Sequence, residues 1–350
     1  MRVPWFRVGA SLAVGAILAL NAIGTTPTHR QQNQTKGTAQ MAGGLGQFGV
    51  TYTLTTTDQY GPVNFTLVSA NYSVERVSMK PNENTAPSAN QKLLIIHYRL
   101  KNPNKGDLYY SGRGLFQAVD SNNNLIDDIG ESRRDSDIKV LDATMKPGQG
   151  LDDLFTCIIL PAEANVTKLI LKMGKPGTKE MVTRFQLATK PNLIKPLAAP
   201  FADPADKTGA TALQTIPGTI GATYPAGLYD VSLASTFLAP GPIGNLTADD
   251  GNQFLVATVT ATNKTTFALN FDGSLNFTLK TDDGKIVDFT AFKAKSDARF
   301  ESQSLDPGES ATMRCVIQVP KAASLKTLTV AEPVNNSLSR AYVYDVSGVK

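Results

Sequence analysis

The sequence predicts an all-β chain of two tandem antiparallel sandwiches joined by a proline- and alanine-rich linker. The first observation behind this is a duplication. Lys146-Pro147-Gly148-Gln149-Gly150, an apolar strand through Phe155, Cys157 and Ile159, and then Pro161 are answered by Asp306-Pro307-Gly308-Glu309-Ser310, then Met313, Cys315, Ile317 and Val319, then Pro320. Past the closing proline, apolar residues recur at equal offsets: Val166, Leu169 and Leu171, then Leu325, Leu328 and Val330. The second observation is period. Leu94, Ile96, Tyr98 and Leu100, like Leu255, Ala257, Val259 and Ala261, alternate with other residues as half-buried strands do. The third is punctuation: turn residues break these runs roughly every 8 to 15 positions, and no convincing helical period intervenes.

In chain order, residues 1–24 read as an export signal. Arg2 and Arg7 precede the apolar run Val8–Ala22, and Ala22-Ile23-Gly24 supplies small residues for cleavage. The run is short of the roughly 20 residues that a spanning helix needs, so membrane attachment is expected only if the segment stays uncleaved. Residues 25–47 are polar and aperiodic, a flexible spacer. They include most of Gly44-Leu45-Gly46-Gln47-Phe48-Gly49, a formal dinucleotide fingerprint. The alternating strand Val50–Thr57 follows where the phosphate-binding helix would have to begin, so a nucleotide cofactor is rejected.

Residues 48–187 carry strand after strand and form the first sandwich, with a Pro- and Asn-rich loop at Lys80–Asn90. Residues 188–227, punctuated by six prolines from Pro191 to Pro225, form a semi-extended linker. Residues 228–350 repeat the plan. Asn263 falls where Asn102 did, and the turn Asp282–Lys285 matches Ser121–Asn124.

Charge excludes one class of partner. There are 17 basic and 15 acidic residues over Phe48–Lys190, against 11 and 13 from Ala226 onward. Neither half has the dense basic face that nucleic acid demands. The two cysteines, Cys157 and Cys315, sit at matching places in the repeats and read as two buried small hydrophobes, not as a bridge.

Candidate chemistry is sparse. His97 lies on the outward face of its strand beside Arg99 and reads as a solvated surface residue, with His29 in the spacer, so no histidine-based triad or metal set assembles. Asp120, Asn122 and Asn124 with Glu131 resemble a calcium loop, but Leu125 stands where the sharp turn needs glycine; a hairpin turn is the plainer reading. Adjacent Tyr109 and Tyr110 must point to opposite faces, leaving one with Arg113 to stack on a sugar or a partner. The run Glu131–Asp137, with Arg133 and Arg134, reads as a solvated end loop and a place for protein contact. The neighbours Asp127/Asp128 and Asp152/Asp153 point apart on strands and make no catalytic pair.

The order of strand, Asn, a Phe-x-Leu strand with an Asp/Asn/Gly turn, then Pro-Gly-Gln or Pro-Gly-Glu before a proline-closed strand resembles bacterial exported immunoglobulin-like domains of unknown function. Those are related in fold to a mycobacterial secreted immunoprotective antigen. The resemblance spans both sandwiches and implies an immunoglobulin-like fold twice over, with no catalytic residues to carry across. The expectation is an extracytoplasmic, non-enzymatic binding protein without cofactor. It would engage a protein or cell-surface component through loops and edges; a carbohydrate-binding accessory protein is the alternative.

Overall fold

The computed structural model describes residues 45–350 apart from 56–60, 81, 112–115, 128–131, 136–138, 140, 174–180, 188–192 and 287. The export signal and residues 25–44 therefore lie outside the described residues. Every regular element among those described is a strand.

Alternating residues bury one face of each strand, so the strands stack as two facing sheets. In the first sandwich one sheet runs, edge to edge, Leu45–Gly46, Met181–Gln186, Val166–Met173, Phe116–Asp120 and Leu125–Asp127. The other runs Arg133–Arg134, Gly150–Pro161, Gln91–Lys101, Pro62–Ser73 and Thr51–Thr55. Phe65, Tyr98, Phe116 and Phe185 meet between them, with ring centroids 5.3 to 6.3 Å apart. The second sandwich orders its strands the same way. Thr215–Gly218, Ala341–Asp345, Leu325–Ala331, Asn276–Thr281 and Lys285–Ile286 form one sheet, and Thr223–Ala226, Tyr229–Ala239, Asn252–Asn263, Ser310–Pro320 and Thr290–Lys293 the other.

The repeat starts earlier than the expected boundaries. Gly46-Gln47-Phe48-Gly49-Val50-Thr51-Tyr52 is answered by Gly218-Thr219-Ile220-Gly221-Ala222-Thr223-Tyr224. In each copy the segment begins as a strand parallel to the last strand of one sheet and then crosses to the other sheet. The second glycine turns the chain at φ +77° or +86°, a region that suits glycine. Its N–H donates across the sandwich to Leu67 O or Leu233 O at 2.8 Å. The tyrosine hydroxyl accepts from Gln47 N at 3.1 Å or Thr219 N at 3.0 Å. Leu45–Gly46 of the expected spacer, and Thr215–Gly218 and Thr223–Ala226 of the expected linker, are thus strands of the two sandwiches. The first glycine lies flat on a buried ring: a Cβ at Gly46 would sit 2.1 Å from Phe185, and one at Gly218 2.6 Å from Tyr344. Gly46→Ala and Gly218→Ala are expected to lower the urea midpoint by the equivalent of about 1–3 kcal/mol through overpacking. An unchanged midpoint would show that the rings move aside freely.

The described part of the remaining linker, residues 193–214, is folded, not semi-extended. Leu197, Ala210 and Ala212 enter the first core, and Phe201 packs against both cores. Lys195 N donates to Ala70 O and Ala212 N to Ala162 O, each at 2.9 Å. Asp206 ties the intervening turn, accepting from Thr208 N at 2.8 Å, Thr208 Oγ1 at 2.7 Å and Thr211 N at 2.8 Å.

The matching of the two cysteines also needs correction. The Gly150–Pro161 strand carries a bulge between Leu151 and Leu154 that its counterpart Ser310–Pro320 lacks. One extra residue inverts the facing of everything beyond it. Ile158 pairs with Leu94 as Ile317 pairs with Leu255, so Cys157 corresponds to Val316 and Cys315 to Thr156. Cys315 faces the inner core, where burial pushes its thiol up. Cys157 lies on the outer face of its sheet, 3.9 Å from Met79 Sδ.

The end of that outer face around Phe155 is covered, which overturns two further expectations. The Lys80–Asn90 loop contributes a hairpin, Val77–Lys80 with Glu83–Thr85, and Met79 seals Phe155 and Cys157. His97 is consequently half-buried against Phe155, ring centroids 6.0 Å apart, and desolvation holds it below its ordinary range. Arg133 is no solvated loop residue: it pairs in the ladder opposite Phe155 and is 1% exposed.

The two sandwiches belong to one compact unit and meet at a polar joint. Arg76, which follows Pro62–Ser73, reaches the second sandwich. Its Nη1 and Nη2 donate to Asp230 Oδ1, the former at 3.0 Å, and its Nε donates to Gly227 O at 3.0 Å. Arg340 returns the contact, donating to Gln91 O of the first sandwich and, at 2.9 Å, to Leu213 O. Lys92 is fully buried, with Nζ donating to Ala162 O at 2.9 Å and to Ala210 O, and lies 4.5 Å from the Tyr72 ring centroid. Glu332 is buried beside them, accepting from Leu228 N at 3.0 Å.

Candidate functional site

Among the described residues, the sequence-predicted candidates form no common site. Tyr109 is 44% exposed while Tyr110 is buried, as adjacency on a strand requires. Arg113 and Glu131 lie outside the described residues. Arg133 is buried and Arg134 half-buried in a short edge strand. Asp120 closes a hairpin turn: Oδ1 accepts from Asn122 N and Asn124 N, and Oδ2 from Asn124 Nδ2, all at 2.8 Å. Asn123 sits at φ +63° within that turn. Desolvation opposes ionisation of Asp120, yet the bonds from Asn124 and Asn122 hold its carboxyl below the usual range. The carboxylate is occupied by the turn, as the plainer reading expected.

A different feature stands out on the outward face of the first sandwich: an open polar groove of about 390 Å³. The two-residue period that sends Phe65 and Leu100 into the core sends Asn64, Thr66, Arg99 and Lys101 outward. Ladder register then sets them side by side. Thr51 faces Thr66, Thr66 faces Arg99, Asn64 faces Lys101, and Lys101 faces Gly150. Thr51 and Thr66 hydroxyls share a hydrogen bond of 2.7 Å. Gly49 and Gly148 line the groove, and a Cβ at either would meet no atom within 4 Å, so this part of the lining is open backbone.

The bulge that displaced Cys157 also shapes this groove. It places Asp152 and Asp153 opposite Arg99, with Asp152 Oδ1 4.0 Å from Arg99 Nε. That separation is beyond hydrogen-bond reach, and both side chains are open to solvent, 54% for Arg99 and 82% for Asp152. Lys101 is exposed and makes no ion pair among the described residues. Two cations therefore stand on alternate residues of one strand, weakly engaged by the protein itself.

The second sandwich resolves the same positions differently. Thr260 and Thr262 replace Arg99 and Lys101, and Thr312 and Ser310 face them. The hydroxyls pair off at 2.9 and 2.8 Å, leaving an uncharged ladder. Asp230, the counterpart of Asn64, accepts Arg76 from the first sandwich. Register thus shows a face engaged by protein in one copy and open in the other. Outward alternation made Arg99 and Lys101 legible as surface residues in the sequence. The concavity was not, because it depends on a bulge with no residue signature.

Residues 230–338, under a third of the chain, match the family described as "Domain of unknown function (DUF4352)". No curated protein matches. Among solved structures, an uncharacterized β-sandwich protein from Clostridium difficile 630 is similar at 15% identity and a TM-score of 0.30, covering 37% of this chain and 91% of that one. The yjhA protein of Bacillus subtilis is similar at 16% identity and a TM-score of 0.25, covering 36% and 96%. The secreted serine protease VesC of Vibrio cholerae aligns at 12% identity and a TM-score of 0.16, over 72% of this chain and 47% of that one.

Proposed function

We propose that this chain is an exported, non-enzymatic binding protein of the cell envelope, engaging a protein or cell-surface component through its first sandwich. The groove carries the proposal: a concave face with an exposed guanidinium, an exposed ammonium, hydroxyls and an amide, on a rigid sheet. Rigid placement of weakly committed polar groups suits recognition, since little ordering entropy is lost on binding. Export rests on the N-terminal sequence, residues 1–24. The proposal includes the first sandwich as a second, diverged copy of the matched domain, supported by the shared Gly-x-x-Gly-x-Thr-Tyr segment and strand order, and keeps the immunoglobulin-like kinship with the mycobacterial antigen as its fold-level setting. A protein partner is favoured over a sugar because no aromatic ring lines the groove among the described residues.

A photocrosslinking residue placed at Thr51, with Thr223 as its counterpart in the second sandwich, tests this on intact cells. Thr51 is expected to yield a discrete envelope adduct and Thr223 none. Equal labelling from both, or none from Thr51, would refute it.

A further inference from the structure

Resting on that reading, we infer that the groove recognises an extended acidic protein segment, seated by its carboxylates on Arg99 and Lys101. Three observations support this. First, side chains two residues apart on a strand stand roughly 6.5–7 Å apart, the spacing of alternate side chains on an extended peptide. Carboxylates on alternate ligand residues therefore match both cations in register. Second, the protein's own acid engages only one of the two cations, and loosely: Asp152 Oδ1 pairs with Arg99 Nε at 4.0 Å with both groups solvated, and Lys101 makes no ion pair among the described residues. A ligand carboxylate is free to form the bidentate contact that Asp152 leaves unmade. Third, the equivalent face of the second sandwich is already engaged, by the first sandwich of the same chain, through a charge pair of opposite sense. There the face offers the acid, Asp230, and the approaching protein the cation, Arg76. In the first sandwich Asn64 stands in the position of that acid and Arg99 and Lys101 supply positive charge, so the complementary partner is acidic.

The neighbouring groups extend the match. Asn64 and Thr51 line the groove beside the cations and offer a donor and acceptors for a peptide backbone. The open glycine backbone at Gly49 and Gly148 leaves space there for the chain of the ligand.

The test uses the full chain and a fluorescein-labelled octapeptide of alternating Glu and Ser, with the Lys-Ser analogue as control and polygalacturonate as competitor. Fluorescence anisotropy at 50 mM salt is expected to show saturable binding of the Glu-Ser peptide only, weakening steeply by 300 mM salt. R99T/K101T, which writes the second sandwich's residues into the first, is expected to weaken binding at least tenfold with an unchanged unfolding midpoint. R99K, which keeps the charge but loses the planar fork, is expected to lie between. Absence of saturable binding, equal binding by R99T/K101T, or displacement by polygalacturonate at lower concentration than by unlabelled peptide would overturn the inference. If R99T/K101T still crosslinks the same envelope component from Thr51, the acidic inference fails while the groove's role in binding survives; loss of the Thr51 adduct from the parent removes both.

Discussion

Replacing Asn263 by alanine is expected to destabilise the second sandwich by about 3 kcal/mol, because it orphans a set of buried partners at once. The side chain is fully buried. Its Nδ2 donates to Phe267 O and Leu305 O, and its Oδ1 accepts from Thr265 N and Thr265 Oγ1, all at 2.8 Å. Asn102 does the same work in the first sandwich, donating to Gly106 O at 2.8 Å and Met145 O at 2.9 Å and accepting twice from Asn104. Asparagine suits this corner because one planar amide serves two carbonyls and two donors. Aspartate would turn a carboxylate oxygen toward two carbonyls, so N263D is expected to match or exceed the alanine loss at pH 7 and to recover partly in acid. Thr260→Ala, on the exposed hydroxyl ladder, is the control and should stay within about 0.5 kcal/mol. Urea unfolding decides: an alanine loss below about 1 kcal/mol would mean that water takes over the amide's role.

The second large effect concerns pH. Glu332 is pushed up to about 8 by desolvation at the joint, against the opposing pull of the Leu228 N–H and the Arg76 guanidinium. The folded protein at pH 7 therefore holds a proton that the unfolded chain, titrating near 4.5, has released. The sign follows from linkage. Glu332's contribution is fully present below about pH 4.5 and is lost as pH rises toward 8, a decline on the order of 5 kcal/mol. Glu332→Gln keeps an acceptor for Leu228 N and removes the titration. It is expected to flatten the decline between pH 5 and 8 and to be the more stable protein at pH 8. Lys92, brought down to about 8 mainly by burial, gains stability only as pH climbs from 8 toward 10.5, outside that window. His97, held below its usual range by desolvation, weakens the fold toward acid, so the difference between parent and variant isolates Glu332. Parallel stability curves for the two would contradict the assignment.

Much of the architecture was legible in the residues. Leu94 through Leu100 and Leu255 through Ala261 face their cores as alternation required, because the period of two is a local property of an extended backbone. The paired Pro-Gly turns carry glycines at φ +76° and +85°, again a local steric matter. The Gly46–Tyr52 and Gly218–Tyr224 match was equally available in the residues. Composition masks it: the first copy lies in a tract that resembles a spacer and the second in one whose prolines suggest a linker.

The candidate site belongs to the other category. Arg99 and Lys101 could be placed on an outward face, but neither the concavity nor the loose 4.0 Å pairing of Arg99 with Asp152 could. Arg133 shows the same limit from the opposite side: a mixed-charge run reads as solvated until a hairpin some fifty residues earlier is seen to contribute Met79 to the same cover. The strands, their inward faces and the paired turn motifs are written in the residues alone, since each depends on neighbours along the chain. Folding in three dimensions set which outward faces are covered, where one bulged residue inverted a strand's facing, and how Glu332, Lys92 and Arg340 became buried. Those outcomes depend on desolvation and register between segments far apart in the chain, which no local pattern of residues encodes.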